Sequence, residues 1–108
     1  MEKGTPVSLY KGLLPGRKSI FGSGKWEYGK WKKVKGELKS CENGFHACTK
    51  DQIIGWIALF DILDRGIELY LTEANGKVII EEEQVISSRA RILRKLTESE
   101  IKKLRAEL

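Results

Sequence analysis

Short segments of alternating hydrophobic and polar residues dominate the first half of the chain, and this pattern is typical of half-buried β-strands. Residues 8–14 form one such segment, which ends at a Pro-Gly pair. Residues 25–34 predict two short strands, because Gly29-Lys30 suits a type II′ turn with glycine first. That turn would place Tyr28 opposite Trp31 as an aromatic pair across the two strands.

The spacing of apolar residues changes to that of a helix after residue 49. Thr49 and Gln52 form a capping-box pattern at the start, and Gly66 suits the position just after the end. The helix that carries Ile53 and Leu63 is apolar on more than one face. Such a helix either packs in the core or forms a contact between two copies of the chain.

The second half predicts a further hairpin, a strand and a final helix. Residues 67–83 form the hairpin, with Asn75-Gly76 at its turn. Residues 84–94 alternate as a strand does, and a helix over residues 88–96 is the alternative. Thr97 and Glu100 then cap a C-terminal helix with one apolar stripe.

Together these elements predict an α+β fold. A chain of 108 residues has room for one domain, residues 1–108, and is too short for two. We expect small, mostly antiparallel sheets packed around the helix of residues 49–66. The C-terminal helix is expected to pack on the outside.

Composition and charge limit the classes of function. The chain has 20 Lys and Arg residues against 15 Asp and Glu residues, a formal net charge of +5, which is compatible with an acidic partner. No charged-then-apolar leader opens the sequence, and the longest apolar run, residues 53–60, is too short to span a bilayer. We therefore expect a cytoplasmic protein without membrane association, in a compartment that keeps thiols reduced.

One short segment, residues 41–48, brings together Cys41, His46 and Cys48. If Asn43-Gly44 form a type I′ turn, all three side chains lie on one face of a hairpin. Three interpretations are open: a zinc site completed by Asp51 or water, a disulfide, and a buried cysteine pair beside a hydrogen-bonded histidine. Because a closed zinc site needs four ligands, we expect the buried pair and no metal.

A second candidate site is a basic ribbon in which aromatic side chains alternate with cations. Its members are Arg17, Lys18, Lys25, Trp26, Tyr28, Lys30, Trp31, Lys32 and Lys33, with Arg89 and Arg91 as further contributors. Aromatic rings that stack bases beside lysines that contact phosphates are typical of single-stranded nucleic acid binding. An acidic protein is the alternative partner. The same aromatic residues could also form half of a small hydrophobic core, with the lysines on its solvent-exposed face.

Two resemblances add to these patterns. The segment Cys41-Glu42-Asn43-Gly44-Phe45-His46-Ala47-Cys48 resembles a Cys-x-x-Gly-Phe-His-x-Cys signature of small uncharacterised phage-encoded domains. The residues around it, from Leu9-Tyr10-Lys11-Gly12 to about Leu96, are similar to the same family. This resemblance implies a viral or mobile-element origin, in the cytoplasm of a host cell, and no particular activity.

The second resemblance is to ADP-ribosyltransferase-type domains. It rests on Tyr10-Lys11-Gly12, on residues 44–49, and on the carboxylates Glu81 and Glu83. It implies that Lys11, His46 and one of these glutamates surround a nicotinamide dinucleotide (NAD). The sequence departs from the family pattern because Lys11 replaces an Arg or His, so bidentate phosphate recognition is lost. An inactive relative of the fold is therefore expected.

The sequence thus predicts a protein that binds rather than one that catalyses. We expect the basic ribbon to contact a polyanion or an acidic host protein, with no resident cofactor. The alternatives are a domain that binds a nicotinamide dinucleotide through Lys11 and His46, and a homodimer through the helix that carries Ile53 and Leu63.

Overall fold

The computed structural model describes residues 6–19, 24–39 and 43–108. Within these residues the order of elements is β1 (Val7–Leu13), β2 (Lys32–Lys33), β3 (Phe45–Ala47), α1 (Lys50–Phe60), β4 (Glu68–Ile80), β5 (Val85–Lys95) and α2 (Glu98–Ala106). The predicted α+β class is confirmed. None of the helices in the described residues is long and apolar enough to cross a bilayer.

The sheet is antiparallel and is built around the long β4–β5 pair. Strand β1 lies on the free edge of β4, while β2 and β3 both pair with β5. Tyr10 of β1 and Cys48, just after β3, also exchange two backbone hydrogen bonds of 2.7 Å. The sheet therefore curls until its first strand meets β3, which gives it an inner and an outer face.

The inner face holds two clusters of buried side chains. Leu13, Trp26 and Ile92 belong to one cluster, and Leu9 and Ala74 to the other. On β1 the alternation of a strand brings Lys11 to the same face as its neighbours at positions 9 and 13. A charged residue therefore stands among the buried side chains of the inner face.

Helix α1 packs against the opposite face of the sheet. Its capping box is confirmed, since the Gln52 amide donates to Thr49 Oγ1 at 3.2 Å and the Thr49 amide donates to Gln52 Oε1 at 3.0 Å. The helix ends earlier than predicted, because Asp61 already takes the left-handed conformation at its C-terminal end, with φ of 50°. Gly66, with φ of 85°, follows in the turns after the helix. The residues that follow form turns before β4 begins.

The C-terminal helix is also capped as predicted. The Glu100 amide donates to Thr97 Oγ1 at 3.2 Å, and the Thr97 amide donates back to Glu100 Oε1 at 2.9 Å. Leu104 is buried in the cluster that also contains Ile53 and Leu69. Helix α2 therefore seals the same side of the sheet as α1.

The predicted hairpin turn at Asn75-Gly76 is wrong. Strand β4 continues to Ile80, and the chain reverses at residues 81–84, where the Glu81 amide donates to the Gln84 carbonyl at 2.8 Å. The register with β5 shifts between Asn75 and Val78. Gly76, with φ of 75°, supplies the left-handed residue of a β-bulge, and this demands the same backbone freedom as a turn.

Two smaller turn predictions also differ from the structure. Asn43 and Lys39 exchange backbone hydrogen bonds of 2.9 Å, so Asn43 is a paired residue and not the centre of a type I′ turn. The other turn closes through the Lys30 amide and the Glu27 carbonyl, at 3.3 Å. Tyr28 consequently bridges to β5 instead of facing Trp31.

Candidate ligand-binding cleft

A cleft of about 520 Å³ is lined by residues of β1, β2, β3 and α1. We call it the lysine cleft. Lys11 and Lys32 line its sheet side, whereas Trp56 and Phe60 line its helix side. Its volume falls within the range of small-molecule sites. The cleft therefore has the size of a pocket that encloses most of a metabolite.

Trp26 organises the sheet side of the cleft. Its indole is buried, with 2% of the residue exposed, and its Nε1 donates to Ser19 Oγ at 3.0 Å. The Lys11 ammonium lies 5.0 Å from the ring centroid and the Lys32 ammonium 4.6 Å from it. Phe45 packs edge-on at 5.5 Å. One fixed aromatic ring thus holds two cations at the cleft wall.

Lys11 is the more constrained of the two cations. Its Nζ donates a hydrogen bond to the main-chain carbonyl of His46 on β3. The pKa of Lys11 is lowered to about 8, mainly by burial. Cys48 opposes this shift, and the nearby Lys32 charge adds to it. The pKa of Lys32 is also lowered, mainly by burial.

His46 and Cys48 contribute polar but uncharged groups at neutral pH. Burial lowers the pKa of His46 below its usual value of 6.5, and the Lys11 charge lowers it further. Burial raises the pKa of the Cys48 thiol to about 11. The positive charge at this wall therefore comes from the two lysines.

The helix side of the cleft is aromatic. The rings of Trp56 and Phe60, one turn apart on α1, lie 4.8 Å apart with an interplanar angle of 34°. Trp56 Nε1 donates to the Glu83 carbonyl at 3.0 Å, which fixes the indole, while 47% of Phe60 is exposed. Arg65, in the turn after α1, adds a third cation to the lining.

The structure brings together part of the constellation implied by the second resemblance. Lys11 and His46 meet in the cleft. Glu81 and Glu83 lie in the β4–β5 turn, where their carbonyls accept hydrogen bonds from α1 side chains. From that turn the residue lining the cleft is Gln84. The Glu81 charge still influences His46, because it partly opposes the lowering of the His46 pKa.

The predicted hairpin cluster is only partly visible. Cys41 lies outside the described residues, while His46 and Cys48 both line the lysine cleft. Within the described part of the chain, no three His, Cys, Asp or Glu side chains are grouped so as to hold a metal ion.

The basic ribbon does not form the single surface that was predicted. Trp26 is buried and takes Lys32 into the cleft. Trp31 instead packs under two arginines of β5, with Arg89 at 4.7 Å and Arg91 at 4.6 Å from its ring centroid. The partition follows from strand geometry, because Trp31 directly precedes Lys32 of β2 and neighbouring residues of an extended chain point to opposite sides.

The remaining ribbon residues lie on the protein surface. Arg17 stacks on Tyr28 at 4.6 Å, and Lys30 pairs with Glu27 at 3.5 Å. The other exposed cations are Lys18, Lys25 and Lys33. Arg91 is also paired with Glu73 at 2.6 Å, which neutralises part of the charge around Trp31.

Sequence reasoning missed the helix side of the site. Trp56 and Phe60 belong to the helix that was expected to pack in the core or against a second copy, and Arg65 and Gln84 carried no signal at all. The spacing of Trp56 and Phe60 was visible, because residues four apart share a helix face. Nothing in the sequence showed that β1 and β3 would face them.

The family model described as a domain of unknown function (DUF7666) matches residues 7–104. No curated protein and no solved structure matches the chain. The family match covers every element from β1 to most of α2, including both sides of the lysine cleft.

Proposed function

The chain belongs to the family of the domain of unknown function DUF7666, and we propose that it binds a small anionic ligand of the nucleotide class in the lysine cleft. The observation that carries the proposal is the pair of ammonium groups, on Lys11 and Lys32, held against the single ring of Trp26. Two positive charges close together on a buried ring destabilise each other, and an anion placed between them would stabilise both.

The charges of the cleft favour an anion. The charged side chains among the described lining residues are Lys11, Lys32 and Arg65, and no Asp or Glu is among them. Low-dielectric walls focus such a one-signed field and raise the local concentration of anions. A phosphate group between the two lysines would form charge-assisted hydrogen bonds with both.

The aromatic wall favours a ligand with a planar ring. The Trp56 and Phe60 rings are packed together, and part of Phe60 remains exposed. Stacking of a base on such a side chain is worth about 1–3 kcal/mol. The resemblance to ADP-ribosyltransferase-type domains, carried by Lys11 and His46, makes a nicotinamide dinucleotide the first compound of this class to test.

The proposal is for binding and not for transfer of ADP-ribose. A transferase needs a carboxylate at the developing oxocarbenium ion. Neither Glu81 nor Glu83 is among the described residues that line the cleft, and from their turn Gln84 takes that position. Lys11 is also engaged with the His46 carbonyl, which suits a fixed electrostatic anchor.

The test is isothermal titration with adenosine, AMP, ADP, pyrophosphate and nicotinamide adenine dinucleotide. We expect the phosphorylated compounds to bind and adenosine to bind at least tenfold more weakly. Lys32→Gln should weaken binding by about 10–100-fold, the value of a lost charge-assisted hydrogen bond. Lys33→Gln is the matched control, because it removes the neighbouring exposed charge on the same strand.

A second readout is proton uptake. Because the pKa values of Lys11 and Lys32 are lowered in the free protein, an anion should raise them and draw protons from the buffer near pH 8. Titrations in two buffers of different ionisation enthalpy measure this uptake. Equal affinity for adenosine and AMP, or equal losses in Lys32→Gln and Lys33→Gln, would contradict the proposal.

A second candidate function is favoured by the arginines stacked on Trp31. We propose that Arg89, Lys33 and Trp31 contact a single-stranded nucleic acid, with an acidic host protein as the alternative polyanion. Arg89→Gln with Lys33→Gln should then lower the affinity for a labelled oligonucleotide and reduce its salt dependence. Binding that is unchanged over a salt series would refute it, and Lys102→Gln with Lys103→Gln on α2 is the control.

Origin, location and self-association complete the proposal. The resemblance of residues 41–48 to the phage-encoded signature supports a viral origin and action in the host cytoplasm. Leu59, at 78% exposure, and Phe60 support self-association through α1. A monomeric mass at millimolar protein concentration would remove the homodimer from consideration.

A further inference from the structure

Lys11 has an environment that ordinary surface lysines lack. Its side chain rises from the middle of β1 into the lysine cleft and passes over the buried Trp26 ring. Its Nζ is held in one direction by the carbonyl of His46. The second ammonium, on Lys32, lies over the same ring. The amine is therefore fixed, partly shielded from water and placed beside another cation.

These are the conditions under which a lysine becomes a nucleophile. Desolvation and a neighbouring positive charge both favour the neutral amine, which carries the reactive electron pair. We propose that Lys11 is a nucleophilic lysine that forms an imine with a small aldehyde or ketone bearing an acidic group. The requirement for an acidic group on the ligand rests on the proposed function of the cleft. The reactivity of the Lys11 amine does not depend on that function.

The reaction is balanced without an external oxidant or reductant. The ammonium of Lys11 first releases a proton to solvent, and the neutral amine adds to the carbonyl carbon of the ligand. The resulting carbinolamine then loses water, so the C–O bond breaks and a C=N bond to Nζ forms. The acidic group of the ligand meets the ammonium of Lys32, which remains in place as its counter-ion.

The charged and titratable groups around the amine set its pH dependence. Lys32, His46 and Cys48 face it from the sheet side, and Arg65 lines the cleft from the turn after α1. With the pKa of Lys11 at about 8, about a quarter of its amine is neutral at pH 7.5. An ordinary lysine has about one neutral amine in a thousand at that pH.

The experiment is reductive labelling of the full chain. The protein is mixed with a limiting amount of pyridoxal 5′-phosphate, reduced with borohydride, digested, and each lysine is quantified by mass spectrometry. We expect labelling of Lys11 at pH 7.5 to exceed that of exposed Lys33 by more than tenfold. The rate at Lys11 should level off above pH 8.

Two variants separate reactivity from structure. Lys11→Arg keeps the charge and removes the amine, so specific labelling should disappear while the buried tryptophan fluorescence is retained. Lys32→Gln removes the neighbouring cation, so the midpoint of the Lys11 pH profile should rise and its labelling at pH 7.5 should slow. Labelling of Lys11 no faster than Lys33 in the unmodified chain, or a Lys11 midpoint near 10, overturns the inference.

Pyridoxal without its phosphate distinguishes this inference from the proposed function. If pyridoxal and its phosphate both label Lys11 selectively to the same extent, the nucleophilic lysine stands and the anion site fails. If AMP binds with the expected dependence on Lys32 but neither aldehyde labels Lys11 selectively, the anion site stands and the inference fails.

Discussion

The most informative perturbation is Lys11→Met, because it removes a partly buried charge and keeps an apolar stem of similar length. In the folded protein burial lowers the pKa of Lys11 from 10.5 to about 8. The folded state therefore disfavours the charged form relative to the unfolded chain. Between pH 8 and 10.5 the unfolded chain binds more protons, so the contribution of Lys11 to stability rises with pH in this window.

The magnitude follows from the size of the pKa shift. A change from 10.5 to about 8, at 1.36 kcal/mol per pKa unit, corresponds to about 3 kcal/mol. Stability lost through the missing contacts with Trp26 and the His46 carbonyl forms an offset that does not depend on pH. We expect the unfolding free energy of Lys11→Met relative to the unmodified protein to fall by about 3 kcal/mol between pH 7 and pH 11.

Urea unfolding followed by tryptophan fluorescence measures this difference at each pH. Taking the difference between two proteins cancels the contribution of Tyr70, whose raised pKa makes both less stable at high pH. The difference also largely cancels the contribution of Cys48, whose pKa is raised as well. Lys33→Met, which removes an exposed lysine from β2, is the control. A difference for Lys11→Met that does not change with pH would refute the reasoning.

Three further predictions concern the backbone. Gly44→Ala should destabilise the protein by about 3 kcal/mol, because a Cβ there would lie 2.5 Å from Ile86 Cγ2 at a φ of 131°. The control is Gly55→Ala in the middle of α1, where a Cβ meets no atom within 4 Å. This control should stabilise the protein by about 1 kcal/mol. Thr97→Ala should cost about 1 kcal/mol in thermal or urea unfolding, since it removes the acceptor of the Glu100 amide. Asp61→Gly should raise the melting temperature slightly, because glycine takes the left-handed conformation without strain. A lower melting temperature would instead show that the Asp61 side chain stabilises the end of α1.

The features that were predicted correctly depend on neighbours within a few residues. Both capping boxes formed as expected, because Thr49 with Gln52 and Thr97 with Glu100 need only one turn of chain to satisfy their amides. The strands β1 and β5 were likewise visible in their alternation. The α+β class followed from these elements, since their apolar faces have few ways to cover one another.

The turns were less predictable because several structures require the same local chemistry. Asn75-Gly76 suited a hairpin turn, yet Gly76 provides the left-handed residue of a bulge inside β4. Gly44 was expected at the centre of a turn, and in the structure its position is set by close approach to Ile86. In both cases pairing with β5, which is remote in sequence, selected among conformations that the dipeptide allows.

The same division applies to the candidate site. The sequence by itself determined which residues carry charge and aromatic rings, and the motif around Lys11 and His46 marked one wall of the cleft. Only the tertiary structure decided that Lys32 would turn inward over Trp26 while Trp31 would turn outward beneath arginines. That choice depends on which residue of β2 pairs with β5, and a shift of one residue would exchange the two sides. The apposition of β1 and β3 to α1 has the same origin, because long-range backbone hydrogen bonds between Tyr10 and Cys48 create the cleft.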